Sequence, residues 1–285
     1  MKRKITVLTG ATASGKTALA IQLAKKINAQ IICADSRIVY KNLDIVSAKP
    51  TSAEKEGIIH HLIDIIEPDT DFSAGDFVTL AKEIINNTEA NIIISGGTWF
   101  YIKSLLDEYS LPECPRDQKK REALEALDNI TLWEKLKQLD PARATLIHPN
   151  NKDKVIRSIE LCEYLEMPVS EYKRSKNEEY DAVWFMTDIE RDELYKRINL
   201  RVDEMIKNGL YEEWQKNNNL YPNSKIIQNT IGYQEFFEYE DINLATDKIK
   251  QHTRNFAKRQ LTYFKSRNDI VKVKNLDDIL KNLTC

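Results

Sequence analysis

The sequence predicts an α/β protein with a parallel sheet at its core and an all-helical insertion. The first third of the chain alternates short apolar runs with helical patterns, beginning with the strand KITVLT and a helix over 16–27. Such alternation is typical of parallel strands joined by helices. Strand patterns stop at residue 111 and return near residue 180. We therefore predict a core formed by 1–110 and 181–285 and a helical insertion over 111–180.

The other elements follow from local patterns in the same way. The further strands that we predict are AQIICA, HLIDII, NIIIS and AVWFMTD. The further helices cover 73–87, then start again at Arg191 and, after a loop NNNLYPNS, continue to residue 267. Within the insertion, Thr131 and Glu134 have the spacing of a capping box, and Pro141, Pro149 and Pro168 mark helix limits.

Composition limits the classes of protein that remain. The chain has 285 residues, 42% of them hydrophobic, and a formal net charge of -2, which excludes a globally basic nucleic-acid binder. Its apolar runs are only as long as strands, so we expect a cytoplasmic protein without a membrane segment. We also expect a monomer. The four cysteines lie far apart without C-x-x-C spacing, which favours reduced thiols over a structural zinc site.

One basic segment stands out in this otherwise acidic chain. Residues 247–267, DKIKQHTRNFAKRQLTYFKSR, contain seven Lys or Arg residues and one Asp. A local basic face of this kind suits contacts with nucleic-acid phosphates.

The motif GATASGKT lies between the first predicted strand and helix, the context in which a phosphate-binding loop is credible. Backbone N–H groups and the helix N-terminus would hold phosphate oxygens, Lys16 would add a charge, and the Thr17 hydroxyl could bind Mg²⁺. The predicted phosphate-binding residues are Gly10, Ala11, Thr12, Ala13, Ser14, Gly15, Lys16 and Thr17. The core is thus predicted to be P-loop NTPase-like, although the loop alone does not identify the reaction.

Two further strand ends place polar groups beside this loop. Asp35 follows the second strand, where it could bind Mg²⁺, contact a nucleoside or act as a general base. Thr98 lies in SGGTWFY after the fourth strand, which ends without the acidic residue that usually binds magnesium in nucleotide hydrolases. The missing acid argues against an ATPase and leaves a small-molecule kinase possible.

Two other pairs of residues have both a functional and a structural interpretation. Arg197 and Arg201 share one helical face, where they could reach phosphates or pair with nearby acidic residues. His60 and His61 lack a third ligand of suitable spacing, so the sequence favours a structural role over metal binding.

Taken together and in order, these motifs resemble those of the tRNA dimethylallyltransferases, also called tRNA isopentenyltransferases. The matching stretches are GATASGKT, ADSRIVYKNLDIVSAKP, HHLIDIIEP, FSAGDF, SGGTWFY, RINLRVDEMIKNGL, NTIGYQEF and RNFAKRQLTYF. They cover nearly the whole chain.

The resemblance implies transfer of a dimethylallyl group from dimethylallyl diphosphate to N6 of the adenine immediately 3′ of the anticodon, in tRNAs that read U-initial codons. Asp35 matches the family's catalytic aspartate, Arg201 an arginine at the diphosphate, and Thr98 the threonine of its G-G-T element. Mg²⁺ at Thr17 would complete the donor site. The phosphate loop would then hold an isoprenoid diphosphate instead of ATP.

The resemblance also implies a set of tRNA contacts on the anticodon stem-loop, which the helical insertion would clasp. These residues are Asp35, Ser36, Arg37, Ile38, Thr98, Arg121, Lys154, Arg157, Asn229, Thr230, Ile231, Gly232, Tyr233 and Gln234. Ile38 stands where many members have glutamine, and Asn229 and Gln234 stand where some have arginine. These departures affect base recognition and leave the diphosphate chemistry unchanged.

Three other functions compete with this interpretation. An adenylate isopentenyltransferase would use the same donor on free AMP, ADP or ATP, and would need less of a clamp for an anticodon. A small-molecule kinase of the adenylate-kinase type would bind ATP under an arginine-rich lid, for which RDQKKREALEAL is the candidate. A non-catalytic RNA-binding protein would need neither Lys16 nor Asp35.

Overall fold

The computed structural model describes residues 2–106, 114–115, 117–172 and 179–283. The chain divides into two compact units, one formed by Met1–Asp107 with Glu178–Cys285 and one by Glu108–Asn177. Residues 110 and 111, at the first predicted domain limit, lie outside the described residues. The predicted domain limits therefore stay a prediction.

A six-stranded parallel sheet forms the centre of the first unit. Its strands are β1 Arg3–Thr9, β2 Ala29–Cys33, β3 His60–His61, β4 Asn91–Gly96, β5 Tyr180–Thr187 and β6 Ile270–Val273. They lie in the order β3-β2-β4-β1-β5-β6. The predicted α/β class is confirmed, and the central strands are buried apolar runs because helices cover both faces.

Two strands differ from the sequence-based expectation. Of the predicted strand HLIDII only His61 pairs with the sheet, together with the preceding His60. The chain then takes positive φ values at Leu62 and Asp64, which end the extended conformation. The edge strand β6 was not predicted, because four residues that include an exposed lysine carry too little apolar pattern.

Helices of the first unit connect and cover these strands. They are α1 Lys16–Ile27, α2 Ser52–Lys55, α3 Ala74–Asn86, α4 Trp99–Leu106, then α9 Arg191–Lys207, α10 Leu210–Leu220, α11 Lys225–Asn229, α12 Gln234–Glu238, α13 Ile242–Phe264 and α14 Leu276–Leu283. The predicted loop NNNLYPNS is wrong in its first half, which continues α10. Asn217 is fully buried there, and its side-chain amide donates to the Asn42 carbonyl oxygen at 2.8 Å, a tertiary bond that holds the helix end.

The second unit is helical in its described residues. Its helices are α5 Gln118–Glu125, α6 Asn129–Leu139, α7 Pro141–Thr145 and α8 Lys152–Leu165, followed by a 3₁₀ turn at Val169–Glu171. They enclose a small core that includes Leu132, Leu136 and Ile156. The predicted capping box is wrong, because Asp128 caps α6 by accepting from the N–H of Thr131 at 3.0 Å.

Two expectations about whole-chain properties can be compared with the described residues. None of their helices combines the length and the apolar character needed to cross a membrane. Cys33, Cys114 and Cys162 have free thiols, whereas Cys285 lies outside the described residues. Burial and the nearby Asp35 carboxylate raise the pKa of Cys33 to about 12, so this thiol stays neutral.

Gly96 at the end of β4 provides a test of how tightly the sheet edge is packed. A Cβ atom there would lie 2.0 Å from the backbone oxygen of Ala34. We expect Gly96→Ala to lower the free energy of unfolding by about 3 kcal/mol, because backbone atoms must move apart. Urea denaturation would measure this loss.

Gly75→Ala is the matched control, since its Cβ would make only an ordinary contact of 3.4 Å with Ser73. It lies in the first turn of α3, where alanine is the better helix former. An equal loss of stability in both variants would show that the close approach at Gly96 is unimportant.

Candidate functional site

The phosphate loop spans the turn between β1 and α1. Gly10 packs so closely that a Cβ atom would lie 2.0 Å from the Thr187 hydroxyl oxygen, and Gly15 begins α1 with a φ of 85°. The Thr187 hydroxyl donates to the Ser14 hydroxyl oxygen at 2.7 Å and ties the loop to β5. Ala13 also has a positive φ, of 60°. The loop is therefore bent and held in place by buried contacts within the protein itself.

Lys16 supplies a titratable cation at this loop. Its Nζ donates to the Ala11 carbonyl oxygen at 3.3 Å. Burial lowers the pKa of Lys16 to about 8, while the Asp35 carboxylate opposes this change and the Arg201 cation adds to it. With that pKa, about nine in ten Lys16 side chains are still protonated at pH 7. A partly buried ammonium that stands beside a second cation, Arg201, favours an anionic ligand.

Asp35 and Thr98 lie together at the carboxyl edge of β2 and β4. Oδ1 of Asp35 accepts from the backbone N–H of Arg37 at 2.8 Å and of Ile38 at 3.4 Å. The Thr98 hydroxyl accepts from the N–H of Ser36 at 3.1 Å, which fixes the turn that carries Asp35. The carboxylate is thus anchored through one oxygen by backbone groups, and the residue lines the cavity beside Lys16.

The two arginines of α9 differ in their surroundings. Arg201 is partly buried and lines the same cavity as Lys16. Burial lowers the pKa of Arg201 and the Asp35 carboxylate opposes this, but a guanidinium remains charged at neutral pH. Arg197 is exposed at its tip and pairs with Glu193 at 2.8 Å, as the structural interpretation of this pair expected.

A single cavity brings these groups together. Its polar lining includes Thr12, Lys16, Thr17, Asp35, Ser95, Arg201 and Gln260, and its apolar lining includes Ala20, Ile31, Cys33, Ile38, Ala48, Pro50 and Phe256. The two cations and the N–H groups of the phosphate loop suit a diphosphate. The apolar lining residues suit a short hydrocarbon group.

Gln260 is a residue of this site that sequence reasoning missed. It lies on the basic helix α13, yet it is almost completely buried. Its side-chain oxygen accepts from the Thr12 N–H at 2.9 Å, and its amide nitrogen donates to the Gly97 carbonyl oxygen at 3.1 Å. The available signal was its spacing with the buried Ala257 and Phe264, which places all three on one helical face.

The predicted RNA contacts of the second unit lie on two of its helices. Arg121 bonds to Glu125 and Asp153 at 3.0 and 3.1 Å. Arg157 donates to Glu160 at 3.0 Å, whereas Lys154 is exposed. All three lie in the helical unit, and their role toward RNA stays a prediction.

The segment 229–234 is divided between exposed and buried side chains. Asn229 is exposed, and Ile231 and Gln234 are partly exposed. Thr230 and Tyr233 are buried and bonded to the Ile226 carbonyl oxygen and the Glu213 carboxylate. RNA contact by this segment stays a prediction. The buried side chains of Thr230 and Tyr233 support the backbone of the segment.

In the turn that carries Asp35, Ser36 and Arg37 are partly exposed and Ile38 is buried.

The basic segment 247–267 falls mostly on α13. Lys258, Arg259 and Lys265 are exposed, whereas Lys250 pairs with Asp203 at 2.6 Å. Arg267 stacks on Trp184 at 3.8 Å and is less available to a phosphate. The exposed cations form a smaller basic face than the sequence count indicated.

Both histidines of the pair are bonded to neighbouring groups through one ring nitrogen, and His60 also lines the same cavity as Lys16. Nε2 of His61 lies 2.8 Å from the Gln30 side-chain oxygen, and Nδ1 of His60 lies 2.9 Å from the Ile58 carbonyl oxygen. Burial lowers the pKa of both, so both are neutral at pH 7. No group of three His, Cys, Asp or Glu residues able to hold a metal occurs among the residues that the structure describes.

Comparisons with known proteins agree on one family. The family model described as IPP transferase matches residues 38–267. A tRNA dimethylallyltransferase of Alkaliphilus oremlandii is 41% identical, over 95% of this chain and 91% of that relative. A solved tRNA isopentenylpyrophosphate transferase of Staphylococcus epidermidis is 37% identical, with a TM-score of 0.71 over 99% of this chain and 98% of that one.

A third comparison is with a eukaryotic enzyme. The solved structure of a eukaryotic dimethylallyltransferase acting on tRNA superimposes with a TM-score of 0.83 at 27% identity, over 95% of this chain and 74% of that one.

The pKa of Lys16 predicts how ligand binding depends on pH. Below pH 8 the ammonium is charged and attracts a diphosphate, and above pH 8 it loses its proton and the attraction. We expect the Kd for dimethylallyl diphosphate, measured by calorimetry without RNA, to rise about tenfold from pH 7.5 to pH 9.5.

Lys16→Arg is the matched control, because a guanidinium keeps its charge throughout this range. Any change that comes from the ligand's own titration will remain in this variant. A pH dependence that is the same in both proteins would contradict the assignment to Lys16.

The contact between Gly97 and Gln260 predicts non-additive substitutions. A Cβ atom at Gly97 would lie 2.1 Å from the Gln260 amide nitrogen, so Gly97→Ala must displace this side chain. We expect Gly97→Ala and Gln260→Ala each to raise the Kd for dimethylallyl diphosphate about tenfold, and the double variant to be no worse than either.

The control is Gln251→Ala, which removes an exposed glutamine of the same helix. Its Kd should stay within about twofold of the wild-type value. If the two losses multiply to about a hundredfold in the double variant, the two residues act independently and the proposed contact is not what holds the loop.

Proposed function

Because the chain belongs to the IPP transferase family, as its motifs predicted, we propose that it is a tRNA dimethylallyltransferase. It transfers the dimethylallyl group of dimethylallyl diphosphate to N6 of the adenine immediately 3′ of the anticodon, in tRNAs that read U-initial codons. The observation that carries this proposal is the cavity that Lys16, Arg201 and Asp35 line together with several apolar side chains. The names of the relatives support tRNA over free adenylate as the acceptor.

In this reaction, stabilising the departing diphosphate matters more than activating the adenine amine as a nucleophile. The allylic carbon can bear positive charge as its bond to the diphosphate oxygen breaks, so the main barrier is the departing diphosphate. Lys16, Arg201 and the N–H groups of the phosphate loop would bind its oxygens, and the fact that these residues line one cavity supports this role. Their charge interactions grow as negative charge develops on the leaving group.

Asp35 is the residue that we propose to accept the proton lost by the adenine amine. Adenine's exocyclic amine is a weak nucleophile, and it must lose a proton as its nitrogen bonds to the allylic carbon. We assign this proton to Asp35, whose Oδ1 is anchored by the Arg37 N–H. Thr98 fixes the same turn through the N–H of Ser36, so its role is to position the base.

The donor site also fits a magnesium ion. Mg²⁺ in such sites takes few protein ligands, keeps several waters and binds substrate phosphate oxygens. Thr17 lines the cavity next to Lys16 and offers a hydroxyl oxygen for this purpose. When bound, the ion would neutralise part of the charge of the diphosphate.

The remaining parts of the proposal concern the acceptor and the cell. We assign Arg121, Lys154 and Arg157 of the helical unit to the anticodon stem-loop. Exposed Lys258 and Arg259 of α13 would bind its phosphates. Action as a monomer stays a prediction. A tRNA substrate supports a cytoplasmic location.

The test is transfer of radiolabel from dimethylallyl diphosphate in the presence of Mg²⁺. Unmodified tRNA is offered in one reaction and AMP with ATP in another. We expect label in tRNA, and none when the adenine beside the anticodon is replaced. Label in the free nucleotide would establish the adenylate enzyme instead, and consumption of ATP without transfer would establish a kinase.

Asp35→Asn separates the proposed base from the rest of the site. The amide oxygen can still accept from the Arg37 N–H, but the side chain can no longer take up a proton. We expect kcat to fall about a hundredfold or more while the Kd for tRNA stays within about threefold. Unchanged turnover would remove Asp35 as the base.

A further inference from the structure

Glu213 on α10 collects four hydrogen-bond donors with one carboxylate. Its Oε2 accepts from the backbone N–H of Asp44 at 2.8 Å and of Ile45 at 2.7 Å. Its Oε1 accepts from the N–H of Val46 at 3.0 Å and from the Tyr233 hydroxyl at 2.7 Å. A carboxylate that holds three successive amides in this way fixes the conformation of their backbone.

These amides belong to a loop, residues 43–50, that forms part of the cavity wall. Ser47, Ala48 and Pro50 of this 43–50 loop line the cavity that also contains Asp35. Ala48 has a φ of 49°, a conformation that costs an alanine free energy and that neighbouring contacts must maintain. The loop therefore needs external support, and Glu213 supplies it.

A second contact fixes Glu213 itself. Tyr233 is fully buried, and the side-chain amide of Asn217 donates to its hydroxyl oxygen at 3.1 Å. Burial and the Glu213 carboxylate raise the pKa of Tyr233, so its hydroxyl stays protonated and remains a donor. Next to it, a Cβ atom at Gly232 would lie only 2.7 Å from the Val46 side chain. The segment 229–234 thus packs directly against the 43–50 loop.

We propose that Glu213 is a positioning residue of the donor site. By holding the amides of residues 44–46 it sets the place of Ala48 and Pro50, against which the dimethylallyl group packs. Through Tyr233 it joins this wall to the segment 229–234. The inference rests on the proposed function, because it names the occupant of the cavity.

Glu213→Gln tests the proposal with little change of volume. The amide nitrogen of glutamine cannot accept, so at least one backbone N–H of the loop loses its partner. We expect the KM for dimethylallyl diphosphate to rise about tenfold while kcat falls less than about threefold, since Asp35 and Lys16 lie outside the loop. Label transfer to tRNA at varied donor concentration would measure both.

Two matched variants accompany this substitution. Glu212→Gln removes the neighbouring, exposed carboxylate and should leave both constants within about twofold of wild type. Tyr233→Phe removes one donor and leaves the three amide contacts intact, so it should raise the donor KM less than Glu213→Gln does.

Hydrogen exchange of single amides provides a readout that is independent of turnover. We expect the amides of residues 44–46 to exchange at least about tenfold faster in Glu213→Gln than in wild type. A loss of folded protein alone would instead lower the apparent kcat and leave the KM unchanged.

The outcomes separate the two proposals. An unchanged donor KM, or unchanged exchange at residues 44–46, in a protein whose wild type modifies tRNA would overturn the role of Glu213 and leave the function standing. Wild-type protein that transfers no label to tRNA would overturn the proposed function, and the positioning role with it.

Discussion

The close approach of backbone at three glycines is the constraint on which the site depends. Gly10 packs against Thr187 of β5, Gly96 against the backbone of Ala34 after β2, and Gly97 against Gln260 of α13. Each of these contacts leaves no space for a side chain at the glycine. As a result, the turns after β1, β2 and β4 converge at one edge of the sheet. Because these turns lie so close together, the phosphate loop and Asp35 share one cavity, and the Thr98 hydroxyl reaches the turn that carries Asp35.

Burial and the Asp35 carboxylate have opposite effects on the pKa values of the two cations at this edge. Lys16 loses basicity because it is desolvated, and Asp35 restores part of it while also moderating the repulsion between Lys16 and Arg201. The same carboxylate is the proposed base, so one residue both maintains the cations and receives the proton. A site with two cations and one anion keeps a net attraction for a diphosphate, which is what departure of this group requires.

Side chains from distant parts of the chain hold this backbone in place. Gln260 bonds to Thr12 across 248 positions of sequence, and Glu213 bonds to Asp44 across 169. Both come from helices that also border the proposed RNA-binding elements, namely the basic face of α13 and the segment 229–234. Each of these two side chains thus ties a part of the cavity lining to an element that is proposed to bind RNA.

By itself, the sequence determined the α/β class, the phosphate loop, most strand and helix positions and the family, because each depends on local patterns and on motifs whose order is visible in the chain. Only the tertiary structure decided that the strand expected over HLIDII is instead the two residues His60 and His61, that α10 runs on to Leu220, and that Tyr233 is buried. It also decided the roles of Gln260 and Glu213, which look like ordinary polar residues of exposed helices in the sequence. Their partners are backbone groups far away in the chain, and no local pattern records which amide a buried side chain will meet.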